Sequence, residues 1–314
     1  MVIPLHRDNP AFRKCLAGCL ALEHPSFEVI VVSDGPVDLP PRTRLLLTGS
    51  HTNTGPGEKR DVGMHQAAGS FLAFIDDDAI PRHDWLARAA DLLADESLGA
   101  VAGPGVTPPD SPWRERMGGS FYESWLGSGP YRYRFRPGKP RYVDDYPAYN
   151  LIVRKTAAEH VKGWRTGFYG GEDTVICLAL VRAGWLIRYD PELVVFHQRR
   201  PVIRKHLAQV GNVGLHRGYF VKAYPATSLR PSYFLPSLGT VALAGLLATS
   251  AFSGIARRLL VGALAAYFVA GVTIGLAESD EPPLALALPV VAFLSHVTYG
   301  LQFLRGLLTR RLER

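Results

Sequence analysis

The sequence predicts an α/β chain built on a mainly parallel, Rossmann-like sheet and continued by a helical membrane region. Apolar runs of strand length alternate with helix-length stretches near the start, and two of them end in carboxylates, at Asp34 and at Asp76-Asp77-Asp78. The other observation is a shift in charge: Asp, Glu, Lys and Arg are scattered as far as Arg230, but 231–256, 259–277 and 282–304 contain none. Each of those runs is near the ~20 residues that a helix needs to cross a bilayer.

In chain order, Val2-Ile3-Pro4 reads as a strand, followed by a helix over 11–22 with Phe12, Leu16, Leu20 and Leu22 as its apolar positions. The β-branched run 27–32 reads as a strand buried on both faces, ending in the turn Ser33-Asp34-Gly35-Pro36. A further strand is expected at 44–47, then the loop Asn53-Thr-Gly-Pro-Gly57 opening a helix over 58–68, and a strand over 71–75. Parallel α/β sheets bind ligands at the carboxyl ends of their strands, where Asp34 and Asp76 to Asp78 fall.

Three adjacent carboxylates repel unless a cation sits among them, and hard divalent cations prefer oxygen ligands. From the triplet alone, a metal site and a solvated loop capping the next helix remain equal alternatives. Lys59 and Arg60, in the first turn of the helix after Gly57, are placed to meet a diphosphate; as a plain turn, Gly-Pro-Gly needs no ligand.

The segment Tyr131-Arg-Tyr-Arg-Phe-Arg136 alternates rings and guanidinium groups with period two, which predicts an edge strand carrying rings on one face. A helix is expected from Glu172 to Gly184, and an apolar strand ending at His197. Residues 203–224 read as an amphipathic interfacial helix.

The net charge of +7 concentrates in Arg199, Arg200, Arg204, Lys205, Arg217, Lys222 and Arg230, just before the first apolar run. That position suits lipid headgroups or a lipid-linked phosphate, and without any nucleic-acid-binding motif it makes membrane lipids the expected partner and nucleic acid not. Met1 to Leu5 is too short for an apolar signal core, so the polar part is expected in the cytoplasm. Cys15, Cys19 and Cys177 form no metal-spaced set and read as small buried hydrophobes.

The ordered set Val2-Ile-Pro4, Val31-Val-Ser-Asp-Gly35, Asn53-Thr-Gly with Arg60 and Gly63, Gly69 to Asp78, Gly170-Gly-Glu-Asp-Thr174 and Val194-Val-Phe-His197 resembles family 2 glycosyltransferases of the GT-A fold. The resemblance covers roughly residues 1–200 and implies an inverting transferase that uses a nucleotide-diphosphate sugar with Mg²⁺ or Mn²⁺. It assigns Pro4, Asp34 and Arg60 to the nucleotide and its diphosphate, Asp76 and Asp77 to the ribose or sugar, and Asp78 and His197 to the metal. It places Asn150 on the donor side, makes Asp173 the catalytic base, and has Glu172 orient the acceptor or serve as base in its place. Two positions depart from the family: Ser33 precedes Asp34 where an acid or amide is common, and Asp61 follows Arg60 where many members have Asn. Ser295 to Gly300 is also similar to tails of bacterial exopolysaccharide transferases of the succinoglycan type.

The expected organisation is a catalytic domain over 1–200, a basic interfacial segment over 201–230, and a membrane region of two or three spans over 231–314. The expected activity is sugar transfer to a membrane-held acceptor, a polyprenyl phosphate or polyprenyl-linked saccharide, at the cytoplasmic face of the membrane. A nucleotidyltransferase acting on a sugar phosphate and a non-catalytic nucleotide-sugar-binding membrane protein are the rival readings. Three spans would put Arg305, Arg310, Arg311 and Arg314 opposite the catalytic domain, against the positive-inside tendency; pairing the second and third runs as a hairpin, with the first re-entrant, restores it.

Overall fold

The computed structural model describes residues 1–49, 54–164, 167–168 and 170–312; Asn53, which opens the glycine-bearing loop in the sequence reading, lies outside them. The chain divides into two compact units, Met1–Pro108 with Tyr133–Gln198, and Pro109–Arg132 with Arg199–Leu312.

The first unit opens with β1 (Val2–Pro4), α1 (Pro10–Leu20), β2 (Val29–Ser33), β3 (Thr43–Leu47), α2 (Pro56–Gln66), β4 (Phe71–Phe74), β5 (Ala79–Pro81), α3 (Trp85–Leu92), β6 (Leu98–Ala102) and β7 (Gly105–Val106). Helix α1 starts where Asn9 accepts the backbone N–H groups of Ala11 and Phe12, at 2.8 and 3.1 Å. After α4 (Trp113–Glu123) and α5 (Trp125–Ser128), which belong to the second unit, the first resumes with β8 (Arg141–Val143), β9 (Leu151–Arg154), α6 (Lys155–His160), α7 (Glu172–Arg182), β10 (Leu186–Tyr189) and β11 (Val195–His197).

An eight-stranded sheet runs β3-β2-β1-β4-β9-β6-β10-β8. The stretch β3-β2-β1-β4 is parallel throughout, as is β6 with β10, while β9 enters antiparallel between β4 and β6 and β8 lies antiparallel on β10. The carboxyl ends of β2, β1 and β4 therefore lie side by side. A smaller sheet, β5-β11-β7, pairs β11 antiparallel with β5. Ile3, Val31, Ala73 and Ile152 from the large sheet share one buried cluster with Phe12, Cys15, Leu16 and Trp85 from the helices. All three cysteines are free and buried, as small hydrophobes are.

The edge strand expected at 131–136 is absent: Gly129–Arg134 forms a 3-10 turn. Period two fails because the side chains have different partners. Tyr133 packs edge-on against Tyr189, with ring centres 4.9 Å apart, and the Arg134 guanidinium is buried against Asp145, donating to its backbone carbonyl at 2.7 Å.

In the second unit, α8 (Arg204–Ala223) and α9 (Pro225–Ser228) lead to three long apolar helices, α10 (Pro231–Ser250), α11 (Gly254–Glu278) and α12 (Pro282–Leu308). Each is long and apolar enough to cross a membrane. Helix α8 lies along α12 at very close range. A Cβ on Gly218 would stand 2.1 Å from the Phe303 carbonyl oxygen, and one on Gly214 would stand 2.7 Å from that of Tyr299. Glycine spaced by three and four residues lets the two backbones meet, a device of helix pairs that lack room for larger side chains.

Candidate active site

The residues singled out by sequence gather at the carboxyl edge of β1, β2 and β4. Asp34 follows β2 directly, and Asp76 to Asp78 follow β4 by way of Ile75. His197, at the end of β11, reaches the same place through strand pairing: it stands opposite Ala79 of β5, and the Gln198 N–H donates to the Asp78 carbonyl at 3.0 Å. His197 Nε2 thus lies 3.0 Å from Asp78 Oδ1 across 119 residues of chain.

Asp76, Asp78 and His197 each offer one ligand atom, all within 4.8 Å of one another. Two carboxylates and an imidazole at that spacing suit a divalent cation, with the oxygens fitting Mg²⁺ and the mixed set also fitting Mn²⁺. Asp78 is 8% exposed, so its charge is largely withdrawn from water and needs a partner. The Tyr149 ring lies with its centre 4.6 Å from that of His197 and closes that side of the group.

The two cations of α2 are not open to a diphosphate. Lys59 is buried; its Nζ donates to the Leu5 carbonyl at 2.7 Å and lies 2.9 Å from Asp34 Oδ2. Arg60 is also buried, with Nη2 2.6 Å from Asp76 Oδ1 and Nη1 2.8 Å from Glu172 Oε1. The Trp164 ring covers its guanidinium, with the centroid 4.7 Å from Cζ. A buried arginine gripping two carboxylates is a positioning device, because both of its terminal nitrogens serve protein groups. It fixes Asp76 and Glu172 relative to each other.

The Asp61 carboxylate accepts the Trp164 backbone N–H at 2.8 Å. Gly163 adopts φ +74°, and a Cβ there would stand 2.2 Å from Asp61 Oδ1, so glycine is required at this turn. Asp61 therefore holds the segment that lays Trp164 on Arg60.

Asp34 accepts the Thr48 hydroxyl at 2.9 Å and the Thr54 N–H at 3.2 Å. Its burial favours the neutral acid, but the hydrogen bonds from Thr54, Lys59 and Thr48 prevail and hold its pKa down at about 2. Asp77 accepts the His6 N–H at 3.1 Å, which ties the triplet to the chain just past β1, where Pro4 ends the strand.

Glu172 and Asp173 occupy the first turn of α7. Glu172 is buried, and its second oxygen accepts the Gly170 N–H at 3.1 Å. Asp173 is only partly buried and accepts the Thr174 N–H at 2.8 Å. Of the pair, Asp173 is the one with exposed surface.

Asn150 directly follows Tyr149, whose ring packs on His197. It is completely buried, and its amide nitrogen donates to the carbonyls of Gly103, Leu193 and Pro104 at 2.7, 2.6 and 3.3 Å. Its oxygen accepts the Trp85 indole N–H at 2.9 Å. With every polar atom occupied, it clamps strands together instead of meeting a donor sugar. Lys59 was singled out in the sequence with Arg60, but nothing in the sequence marked Trp164.

Comparison with known proteins follows the same line. The family described as Glycosyl transferase family 2 matches residues 1–161. A succinoglycan biosynthesis protein, ExoM, of Rhizobium meliloti is 30% identical over 232 residues, covering 71% of this chain and 71% of that protein. A pre-mycofactocin glycosyltransferase of Mycobacterium tuberculosis is 27% identical over 222 residues, 67% of this chain, and the match spans 44% of that relative's length. Among solved structures, a mannosyltransferase of Pyrobaculum calidifontis in complex with GDP-Man and Mn²⁺ superposes with a TM-score of 0.62 at 19% identity, covering 95% of this chain and 85% of the other. That likeness is one of fold. Half of the chain by family match, the ordered motifs and the shared GT-A-type architecture agree, and the chain belongs to glycosyltransferase family 2.

Proposed function

We propose that the chain transfers a sugar, with inversion, from a nucleotide-diphosphate sugar to a membrane-held acceptor, a polyprenyl phosphate or polyprenyl-linked saccharide. The observation that carries this reading is the group Asp76, Asp78 and His197, set at a strand-end crevice beside the first turn of α7 in a family 2 chain. Asp78 and His197 would hold Mg²⁺ or Mn²⁺, with Asp76 beside them toward the ribose or sugar. When bound, the ion would neutralise the diphosphate and make it a better leaving group.

The remaining chemistry falls to side chains. Asp34, kept ionised by Lys59 and Thr48, accepts hydrogen bonds from the base or its ribose. Arg60 holds Asp76 and Glu172 in register. Glu172, committed to that ion pair, positions the α7 turn, leaving Asp173 as general base. The acceptor oxygen forms its bond to the anomeric carbon as the bond to the diphosphate breaks on the opposite face, and the hydroxyl proton passes to the Asp173 carboxylate. The three long apolar helices support a membrane location, and the basic stretch from Arg199 to Arg230 supports a catalytic domain facing the cytoplasm. The exopolysaccharide relative supports polysaccharide or glycolipid assembly as the setting.

The test is a panel of radiolabelled nucleotide sugars incubated with membranes that contain or lack the protein, followed by analysis of the lipid fraction. One donor should label a lipid only when the protein is present. Asp173→Asn should lower that transfer by roughly 10²–10⁴-fold with donor binding retained. Near-normal transfer by that variant would remove the base assignment.

A further inference from the structure

Among the three long apolar helices, α12 stands apart: 44% of its most apolar stretch is buried, against 11% for α10 and for α11. It packs on α10 at Thr240 and on α11 at Gly271 and Gly275, but the other helices that cover it are polar. Toward its start, Leu284, Leu288 and Val291 share a buried cluster with Met117 and Phe121 of α4, a helix that also carries Arg114, Glu115, Arg116 and Glu123. Toward its end it lies against the glycines of α8, a helix that exposes Arg204, Lys205, Gln209, Asn212 and Lys222. A charged side chain held at mid-bilayer is costly even on insertion scales, so neither α4 nor α8 belongs in hydrocarbon beside a spanning helix.

The ends of α12 are informative in the same way. At the first, Arg116 pairs with Glu281 at 2.9 Å, Arg132 pairs with Glu278, and Glu278 also accepts the Trp125 N–H at 2.9 Å. At the other, Lys222 Nζ donates to the Thr309 carbonyl at 2.7 Å. Arg116, Arg132 and Lys222 all precede the first long apolar helix, so no membrane crossing separates them along the chain. Both ends of α12 are therefore held by segments from one side.

We propose that α12 does not cross the bilayer but lies along its near face, and that α10 and α11 form a crossing hairpin whose lipid-facing side is their exposed apolar surface. Helix α10 has 20 residues, which at ~1.5 Å each gives about 30 Å, the thickness of the hydrocarbon core. Leu235, Leu238, Val241 and Leu247 on α10 and Ile255, Leu259 and Val261 on α11 are exposed, and Phe252 at the turn is 94% exposed. Arg257 and Arg258 follow one turn later, at the depth of the far headgroups. The arrangement returns Arg305, Arg310 and Arg311 to the side of the catalytic unit, as the positive-inside tendency asks. It differs from the pairing that charge pattern alone suggested, in which the second and third apolar runs form the hairpin.

The test uses Glu96→Cys, Phe252→Cys and Arg310→Cys, singly, in the full chain in sealed membrane vesicles, labelled with a membrane-impermeant maleimide before and after permeabilisation. The native cysteines are buried and give a low background. Glu96→Cys and Arg310→Cys should label from one side, and Phe252→Cys from the other. Labelling of Arg310→Cys together with Phe252→Cys, opposite Glu96→Cys, would mark a third crossing and overturn the proposal; labelling of all three from one side would overturn the hairpin. A protease site appended at the C-terminus reads the last position without a substitution, and its cleavage from the Phe252 side would also overturn the proposal.

Discussion

At the sheet edge Asp34 and Asp76 pair with the buried cations Lys59 and Arg60, Asp77 accepts the His6 N–H and Asp78 lies against His197, and this gives each a distinct response to substitution. Asp34 has a folded pKa near 2 against an ordinary 3.8, so it contributes stability that is fully present above about pH 4 and lost as the pH falls toward 2. Lys59→Met should raise the Asp34 pKa and move the acid unfolding transition to higher pH, which carboxyl NMR titration and unfolding followed against pH would both register. Asp78→Ala should abolish Mn²⁺-dependent nucleotide binding, measured by calorimetry with and without the ion; unchanged binding would remove Asp78 from the metal group. Asn150→Ala should behave differently. It leaves three buried carbonyls and the Trp85 N–H without their partner, so a loss of about 2–4 kcal/mol in stability is expected ahead of any change in donor affinity. The acidic residues were legible through the ordered set of motifs they belong to, since the triplet alone left a metal site and a helix cap equal. Their partners were not: Arg60 meets Glu172 across 112 residues, and no local pattern reports a contact at that distance.

At the scale of elements, the alternation of strand and helix through the first third translated directly into β1 to β4, since β-branched runs bounded by turns have little else to become. The antiparallel entry of β9 between β4 and β6 could not be read, because strand direction follows from which edge is left open by earlier pairings. The 131–136 segment misled for a definite reason: alternating rings and guanidinium groups have the same spelling in a strand and in a tight turn whose members are buried separately. Helix α8 was legible as a helix, with its polar face, but its glycines carried a second message. Gly218→Ala would drive a methyl group into the Phe303 carbonyl, and unit stability should fall by about 1–3 kcal/mol, read as a lower Tm of the detergent-solubilised protein. Gly239→Ala, where nothing lies within 4 Å, should be tolerated and serves as the control.

For the whole molecule, two forces act on membrane attachment. The basic residues before α10 are screened within about 8 Å at physiological salt, whereas the apolar surface of α10 and α11 is not screened at all. Washing membranes with 1 M NaCl should therefore leave the protein in the pellet, while detergent releases it; release by salt alone would mean that charge, not apolar burial, holds it there. The pairing of β5 with β11 has a consequence in time. Asp78 and His197 are 119 residues apart, and at synthesis rates of about 5–20 residues per second the third donor of the cation group leaves the ribosome roughly 6–24 s after the second. Until then the nascent chain exposes a carboxylate triplet without its imidazole, so a stalled product ending before Val195 should bind Mn²⁺ more weakly than the finished chain. If the group holds the cation as proposed, metal affinity would be a clock for the closure of the smaller sheet.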